Sequence, residues 1–97
     1  MSSRTTAIHE QSRPKLAAKA RLRFDRNTQR FLLLYPERGL LLNGAAADIL
    51  RPCTGGVTIE TIVGMLSSGD PATPRELIAS QVLHFLSGLQ SRGLIET

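Results

Sequence analysis

The sequence predicts an α+β domain with a winged helix-turn-helix-like plan, in which a three-stranded antiparallel sheet precedes three helices. Three observations predict this fold. The front half alternates polar and apolar residues between turn-forming residues, the back half repeats apolar residues at helical spacing, and capping residues mark the helix ends. A chain of 97 residues, 41% of them hydrophobic, has room for one small core.

The predicted strands cover residues 21–24, 30–35 and 40–42. The first strand alternates arginine with apolar residues, which indicates one buried face and one basic, solvated face. Turns at residues 25–29 and 36–39 separate the strands, because Asp, Asn and Pro favour turns and Gly39 is free to take a positive φ. The third strand is wholly leucine, so its assignment depends on the flanking turns.

Three helices are predicted after these strands. Asn43 is a good N-cap for a helix over residues 45–51, and Thr58 is a good N-cap for the next helix. The last helix begins with a capping-box pattern at residues 73–76 and ends near Gly93. Its apolar residues span an arc of roughly 160°. Such an arc fits either a helix with one flank lining a groove or a helix that is buried on two sides.

Residues 1–13 are polar and lack a hydrophobic period, which predicts a disordered tail before a single domain over residues 14–97. No run approaches the ~18 apolar residues of a membrane span. The N-terminal residues lack the apolar segment of a secretory signal. Cys53 is the only cysteine, which excludes a disulfide framework. The cytoplasm is therefore the expected compartment.

The sequence offers no catalytic constellation and no metal site. His9 and His84 are far apart and have no acidic or cysteine partner at metal-ligand spacing. Cys53 is expected to be a small buried apolar group, and residues 54–56 lack the lysine and the spacing of a phosphate loop. We expect neither catalysis nor a cofactor.

Positive charge is concentrated in the front half, where residues 1–38 carry nine of the twelve Lys and Arg residues. Such a region can attract nucleic acid, an acidic peptide or an acidic protein face. A winged-helix DNA-binding domain needs basic residues on its recognition helix, but residues 59–68 contain none. DNA binding is thus the alternative to a peptide-binding module, in which an extended peptide adds to an open sheet edge beside the long helix.

Five blocks of the sequence, taken together, resemble the PqqD family, the peptide chaperones of pyrroloquinoline quinone (PQQ) biosynthesis. The blocks are RPKLAAKARLRFD (13–25), LLLYPERGLLLN (32–43), AADILRPCTGG (46–56), TIETIVGML (58–66) and VLHFLSGLQSRGLIE (82–96). Two positions depart from the family pattern, because Thr54 and Gln81 stand where the family usually has Asp. These departures put in doubt a role for those two carboxylates, and they leave the fold assignment intact.

The resemblance implies a non-catalytic recognition element for a ribosomally made, modified peptide (a RiPP recognition element). Such a domain binds the precursor peptide (PqqA type) as an added strand. It presents the peptide to a radical S-adenosylmethionine (SAM) enzyme (PqqE type) that joins a Glu and a Tyr of the peptide. No nucleic acid and no membrane partner are implied, and the chain is expected to be a monomer or a homodimer.

The same resemblance implies the site residues. Main-chain pairing is expected at Gly39, Leu40, Leu41 and Leu42. About half of five groove candidates are expected to touch peptide: Val82, Leu83, Phe85, Leu86 and Leu89. The basic strand residues Arg21, Arg23 and Arg30 either meet acidic groups of the peptide or enzyme, or form a solvated face.

Overall fold

The computed structural model describes residues 7–97. It contains a three-stranded antiparallel sheet in the order β2-β3-β4, a separate pair of short strands formed by β1 and β5, and three helices between β4 and β5. The predicted α+β fold is confirmed. The elements are β1 (Lys15–Leu16), β2 (Arg21–Asp25), β3 (Arg30–Tyr35), β4 (Arg38–Leu41), α1 (Gly44–Leu50), α2 (Ile59–Ser68), α3 (Arg75–Ser91) and β5 (Ile95–Glu96).

The main sheet buries one face against the helices. Leu22, Leu33 and Leu40 lie opposite one another across β2, β3 and β4, and all three belong to or pack on the core. Alternation along each strand then directs the next residues to the other face. The core is completed by apolar side chains of the helices and the C-terminal segment, of which the most buried are Leu50, Ile59, Ile62, Val63, Val82, Leu86 and Leu94.

The β3–β4 hairpin is tighter than the sequence predicts. The turn occupies positions 36 and 37, and β4 begins at Arg38. Gly39 therefore lies within β4, and the positive φ that we expected there is wrong. A Cβ at this position would lie 3.0 Å from Leu34 Cδ2, so a larger residue here would require the Leu34 side chain to shift. Leu42 follows β4, and its N–H still donates to the Phe31 carbonyl oxygen at 2.9 Å.

Side-chain caps begin the first two helices as predicted. Asn43 Oδ1 accepts a hydrogen bond from the Ala46 N–H at 2.8 Å, and Thr58 Oγ1 accepts one from the Thr61 N–H at 3.2 Å. Each bond satisfies an N–H group of the first turn that has no partner within its helix. Gly93 ends α3 with φ +75°, as its predicted capping role requires.

The predicted capping box of α3 is wrong. The Thr73 hydroxyl donates to Asp70 Oδ2 at 2.6 Å, within the preceding loop. The residue immediately before α3 is Pro74, which makes no side-chain capping bond. The helix thus begins one residue later than the sequence pattern predicts, with Pro74 at the N-cap position in place of Thr73.

The N-terminal segment over residues 7–13 packs onto the domain, in contrast to the tail expected there. The Ile59 N–H donates to the Ser12 carbonyl oxygen at 2.9 Å, and the Glu60 N–H donates to the Glu10 carbonyl oxygen at 2.8 Å. Ser12 is buried. The segment therefore supplies acceptors to the unpaired N–H groups at the start of α2. Residues 1–6, the rest of the expected tail, lie outside the described residues.

None of the helices in residues 7–97 combines the length and the apolar composition needed to traverse a bilayer.

Candidate functional site

The free edge of β4 is the central feature of the candidate site. β4 pairs with β3 on one side, and within residues 7–97 no strand pairs with its other side. The N-terminal segment does not occupy this edge, because β1 pairs with β5 and Lys15 also bridges to Thr54. An extended chain can therefore add to β4 as a fourth strand.

The register determines which main-chain groups of β4 are available. The bond from Leu42 to Phe31 shows that Leu42 points its N–H and C=O toward β3. In an antiparallel ladder this orientation alternates, so Leu40 also points toward β3, whereas Gly39 and Leu41 point outward. Of the four residues predicted for main-chain pairing, Gly39 and Leu41 present the donors and acceptors. Leu40 and Leu42 instead contribute side chains to the core and its border.

The C-terminal end of α3 is fixed beside the start of β4. Arg92 Nη2 donates to the Tyr35 hydroxyl at 3.0 Å, and the guanidinium carbon lies 5.8 Å from the centroid of the Tyr35 ring. Tyr35 is paired with Arg38, the first residue of β4. The Arg92 side of α3 therefore lies nearest to the start of β4, and we call the region between β4 and this side of α3 the cleft.

Helical geometry identifies the residues on this flank. At 100° per residue, Gln81, Phe85 and Arg92 share one side of α3, and Phe85 is half-buried. Leu83 is about 200° away from Phe85, so it lies on the opposite flank.

The other three groove candidates are core residues. The exposed fractions of Val82, Leu86 and Leu89 are 1%, 0% and 4%, so their side chains offer almost no surface to a bound peptide. Of the five candidates, Phe85 alone lies half-buried on the same side of α3 as Arg92. Gln81, one helical turn earlier, joins Phe85 on that flank. The sequence signal for Gln81 is its i−4 spacing from Phe85.

A cavity of about 730 Å³ lies toward the other end of α3. α1, the end of α2 and the first half of α3 form its walls. The lining is mainly apolar, and Asp48, Arg51, Asp70 and Gln81 add polar groups. Its size lies within the range of ligand pockets in proteins, so it can receive side chains of a bound chain. Of the five groove candidates, Val82 borders this cavity, and the sequence does not identify the other apolar residues of its lining, which include Ile49, Met65, Leu66 and Ile78.

The predicted basic residues share the face of the sheet that points away from the helices. Arg21 and Arg23 are exposed on the face of the sheet that points away from the helices. Arg30 Nε donates to the Leu42 carbonyl oxygen at 3.0 Å, so this arginine also braces the end of the hairpin. The structure does not bring these three arginines into the cleft between β4 and α3.

Cys53 is an inert core residue. Its thiol donates to the Ile49 carbonyl oxygen at 3.2 Å, and burial raises the pKa of Cys53 to about 12. The reactive thiolate is therefore scarce near neutral pH. Residues 7–97 contain no cluster of three or more His, Cys, Asp or Glu side chains that could hold a metal ion.

Comparisons with known proteins identify the family of this chain. The family "Coenzyme PQQ synthesis protein D (PqqD)" matches residues 30–95. A "PqqA binding protein" of Rhodopseudomonas palustris strain HaA2 is 37% identical over 95 residues, which cover 98% of this chain and 92% of the relative. A "Bifunctional coenzyme PQQ synthesis protein C/D" of Methylorubrum extorquens is 32% identical over 91 residues, which cover 94% of this chain and 24% of that protein.

A solved structure shows the same fold. The solution NMR structure of the PqqD truncation of Methylobacterium extorquens PqqCD superimposes with a TM-score of 0.78 and 30% sequence identity, over 95% of this chain and 97% of that one. That domain is described as a functional and stand-alone RiPP recognition element. On the family match, the relatives and the shared fold, this chain belongs to the PqqD family.

Proposed function

We propose that this chain is a non-catalytic peptide chaperone of PQQ biosynthesis, which binds a ribosomal precursor peptide of the PqqA type by strand addition. The observation that carries the proposal is the unpaired edge of β4 beside α3. The name "PqqA binding protein", given to relatives that match nearly the whole chain, supports the same ligand.

Strand addition uses the two outward-facing residues of β4. The N–H and C=O groups of Gly39 and Leu41 pair with the guest main chain, which supplies affinity with little dependence on sequence. Alternate side chains of the guest then point toward α3 or toward the opposite face of the sheet. Those on the helix side meet Phe85 and Gln81, and the adjoining cavity can receive a side chain at the end of the cleft. In this proposal, α3 and the cavity distinguish one peptide from another through its side chains.

The bound peptide is then presented to a radical SAM enzyme of the PqqE type, which joins a Glu and a Tyr of the peptide. Holding the precursor as a strand keeps its main chain extended and reduces the conformational freedom that the enzyme must otherwise restrict. All covalent chemistry belongs to the enzyme in this proposal. We place the encounter in the cytoplasm, where a ribosomal peptide is made.

Backbone amide NMR during titration with the precursor peptide tests the proposal. The Gly39 and Leu41 amides should shift strongly as they gain hydrogen bonds. The Leu40 amide, which points toward β3, should shift less, and the backbone amides of Phe85 and Gln81 should also shift. A peptide of the same composition in scrambled order is the control. Shifts limited to the arginine-rich front half, and abolished by moderate salt, would instead indicate non-specific charge binding.

A further inference from the structure

The sheet has a second face, which the helices do not cover. We call it the outer face. Leu22, Leu33 and Leu40 point into the core, so their neighbours along each strand point the other way. The cross-strand register sets the central outer-face residues in two rows: Arg21, Leu34 and Gly39, followed by Arg23, Leu32 and Leu41.

The centre of the outer face is apolar and lacks a partner in residues 7–97. Leu32, Leu34 and Leu41 are absent from the core cluster and from the side chains packed against it. Leu41 is 39% exposed. The Leu34 side chain lies close to Gly39, where an added Cβ would be 3.0 Å from Leu34 Cδ2. The apolar surface therefore continues across β4 to its free edge.

Positive charge flanks this apolar centre. Arg21 and Arg23 are both exposed, and the ion pair found within residues 7–97 joins Arg75 to Glu10 elsewhere. Asp25 is the acidic residue of this face. It lies at the hairpin turn, where it accepts hydrogen bonds from the Thr28 hydroxyl at 2.8 Å and from the Asn27 N–H at 3.3 Å.

This charge pattern selects the kind of partner. A second copy of the chain carries the same net charge of +4, so two copies repel each other. An acidic protein surface with an apolar centre is complementary to both the arginines and the leucines.

We propose that the outer face is the docking surface for an acidic, apolar-centred surface of the peptide-modifying enzyme. This inference rests on the proposed function, which supplies the enzyme. A guest strand added at β4 extends the same sheet, so its outward side chains join the outer face beside Leu41. An enzyme docked there contacts the peptide directly, while α3 and the cavity hold the other side of the guest.

Two charge-reversal variants of equal net charge test the proposal. Arg23→Glu changes the outer face, and the matched control Arg26→Glu changes an exposed arginine of the β2–β3 turn. Binding of each folded variant to the radical SAM enzyme and, separately, to the precursor peptide is measured by calorimetry. We expect Arg23→Glu to weaken enzyme binding about tenfold or more and Arg26→Glu to weaken it less than about twofold. Peptide affinity should be unchanged in both. Arg23→Gln provides a milder variant of the same site.

The other possible results of these binding measurements distinguish the outer-face proposal from the proposed function. Equal effects of Arg23→Glu and Arg26→Glu on enzyme binding would overturn the outer-face proposal. Wild-type protein that binds peptide but not the enzyme would also overturn it and leave peptide binding intact. A wild-type protein that binds neither would overturn the proposed function itself. Salt-sensitive binding of duplex DNA that is lost in Arg23→Glu, without enzyme binding, would reassign the outer face to nucleic acid.

Discussion

Replacing Leu41 with proline removes one of the main-chain donors that the β4 edge offers to a guest. The Leu41 N–H points away from β3, so the β3–β4 ladder loses no hydrogen bond. Proline is tolerated on edge strands when its missing N–H faces solvent. The variant is therefore expected to fold and to have a damaged binding edge.

The magnitudes follow from the same geometry. One lost hydrogen bond is worth about 0.5–1.5 kcal/mol, which corresponds to roughly a 2- to 13-fold weaker peptide complex. The proline ring also occupies the space that the guest carbonyl needs, so we expect a loss of about tenfold or more. Leu41 is 39% exposed and lies outside the core cluster. The free energy of unfolding should thus fall by less than about 1 kcal/mol, mainly through backbone restriction.

The assay is calorimetric titration of each variant with precursor peptide, together with chemical denaturation of the free protein. Leu41→Ala is the matched control, because it shortens the same side chain and keeps the N–H group. We expect Leu41→Ala to retain most of the affinity that Leu41→Pro loses. A folded Leu41→Pro protein with wild-type peptide affinity would refute strand addition at β4.

Three further predictions test other parts of the structure. Phe85→Ala and Leu83→Ala, on opposite flanks of α3, should destabilise the fold to a similar extent, but only Phe85→Ala should weaken peptide binding; equal affinities would remove α3 from the site. Because burial raises the pKa of Cys53 to about 12, a thiol reagent at pH 8 should react with native protein far more slowly than with denatured protein, and Cys53→Ala should bind peptide normally. Truncation of residues 1–12 deprives α2 of the Ser12 and Glu10 carbonyl acceptors, so the free energy of unfolding should fall by about 1–3 kcal/mol; an unchanged denaturation midpoint would contradict this anchoring role.

The sequence predicts the fold well because the signals that define it are local. Alternation identifies β2 and β3, and the side-chain caps at Asn43 and Thr58 mark two helix starts. The two-residue strands β1 and β5 carry no such pattern. Residues 7–13 are held by main-chain carbonyls at Glu10 and Ser12 and by the polar side chains of Glu10 and Arg13, so their polar composition does not distinguish them from a disordered tail. The capping box at α3 is absent because the N-cap position falls on Pro74, one residue after Thr73.

The site is predictable only in part. The leucine-rich third strand indicates an edge, but the outward direction of Gly39 and Leu41 depends on the hairpin register. A wide apolar arc on α3 cannot distinguish core residues such as Val82 from the cleft-facing Phe85, because periodicity does not reveal which elements pack on each flank. The cavity between α1, α2 and α3 arises from tertiary packing alone.

The pairing of Lys15 with Glu96 and of Leu16 with Ile95 sets the first and last strands of the domain side by side. The chain ahead of β1 does not leave from this patch, because residues 7–13 continue to the start of α2. A tether attached behind β5 therefore leaves beside β1, whereas one attached ahead of residue 7 leaves from the side of the domain that carries the start of α2. Fusions of this domain to either end of a larger enzyme should therefore need linkers of different length to place the β4 edge in the same position.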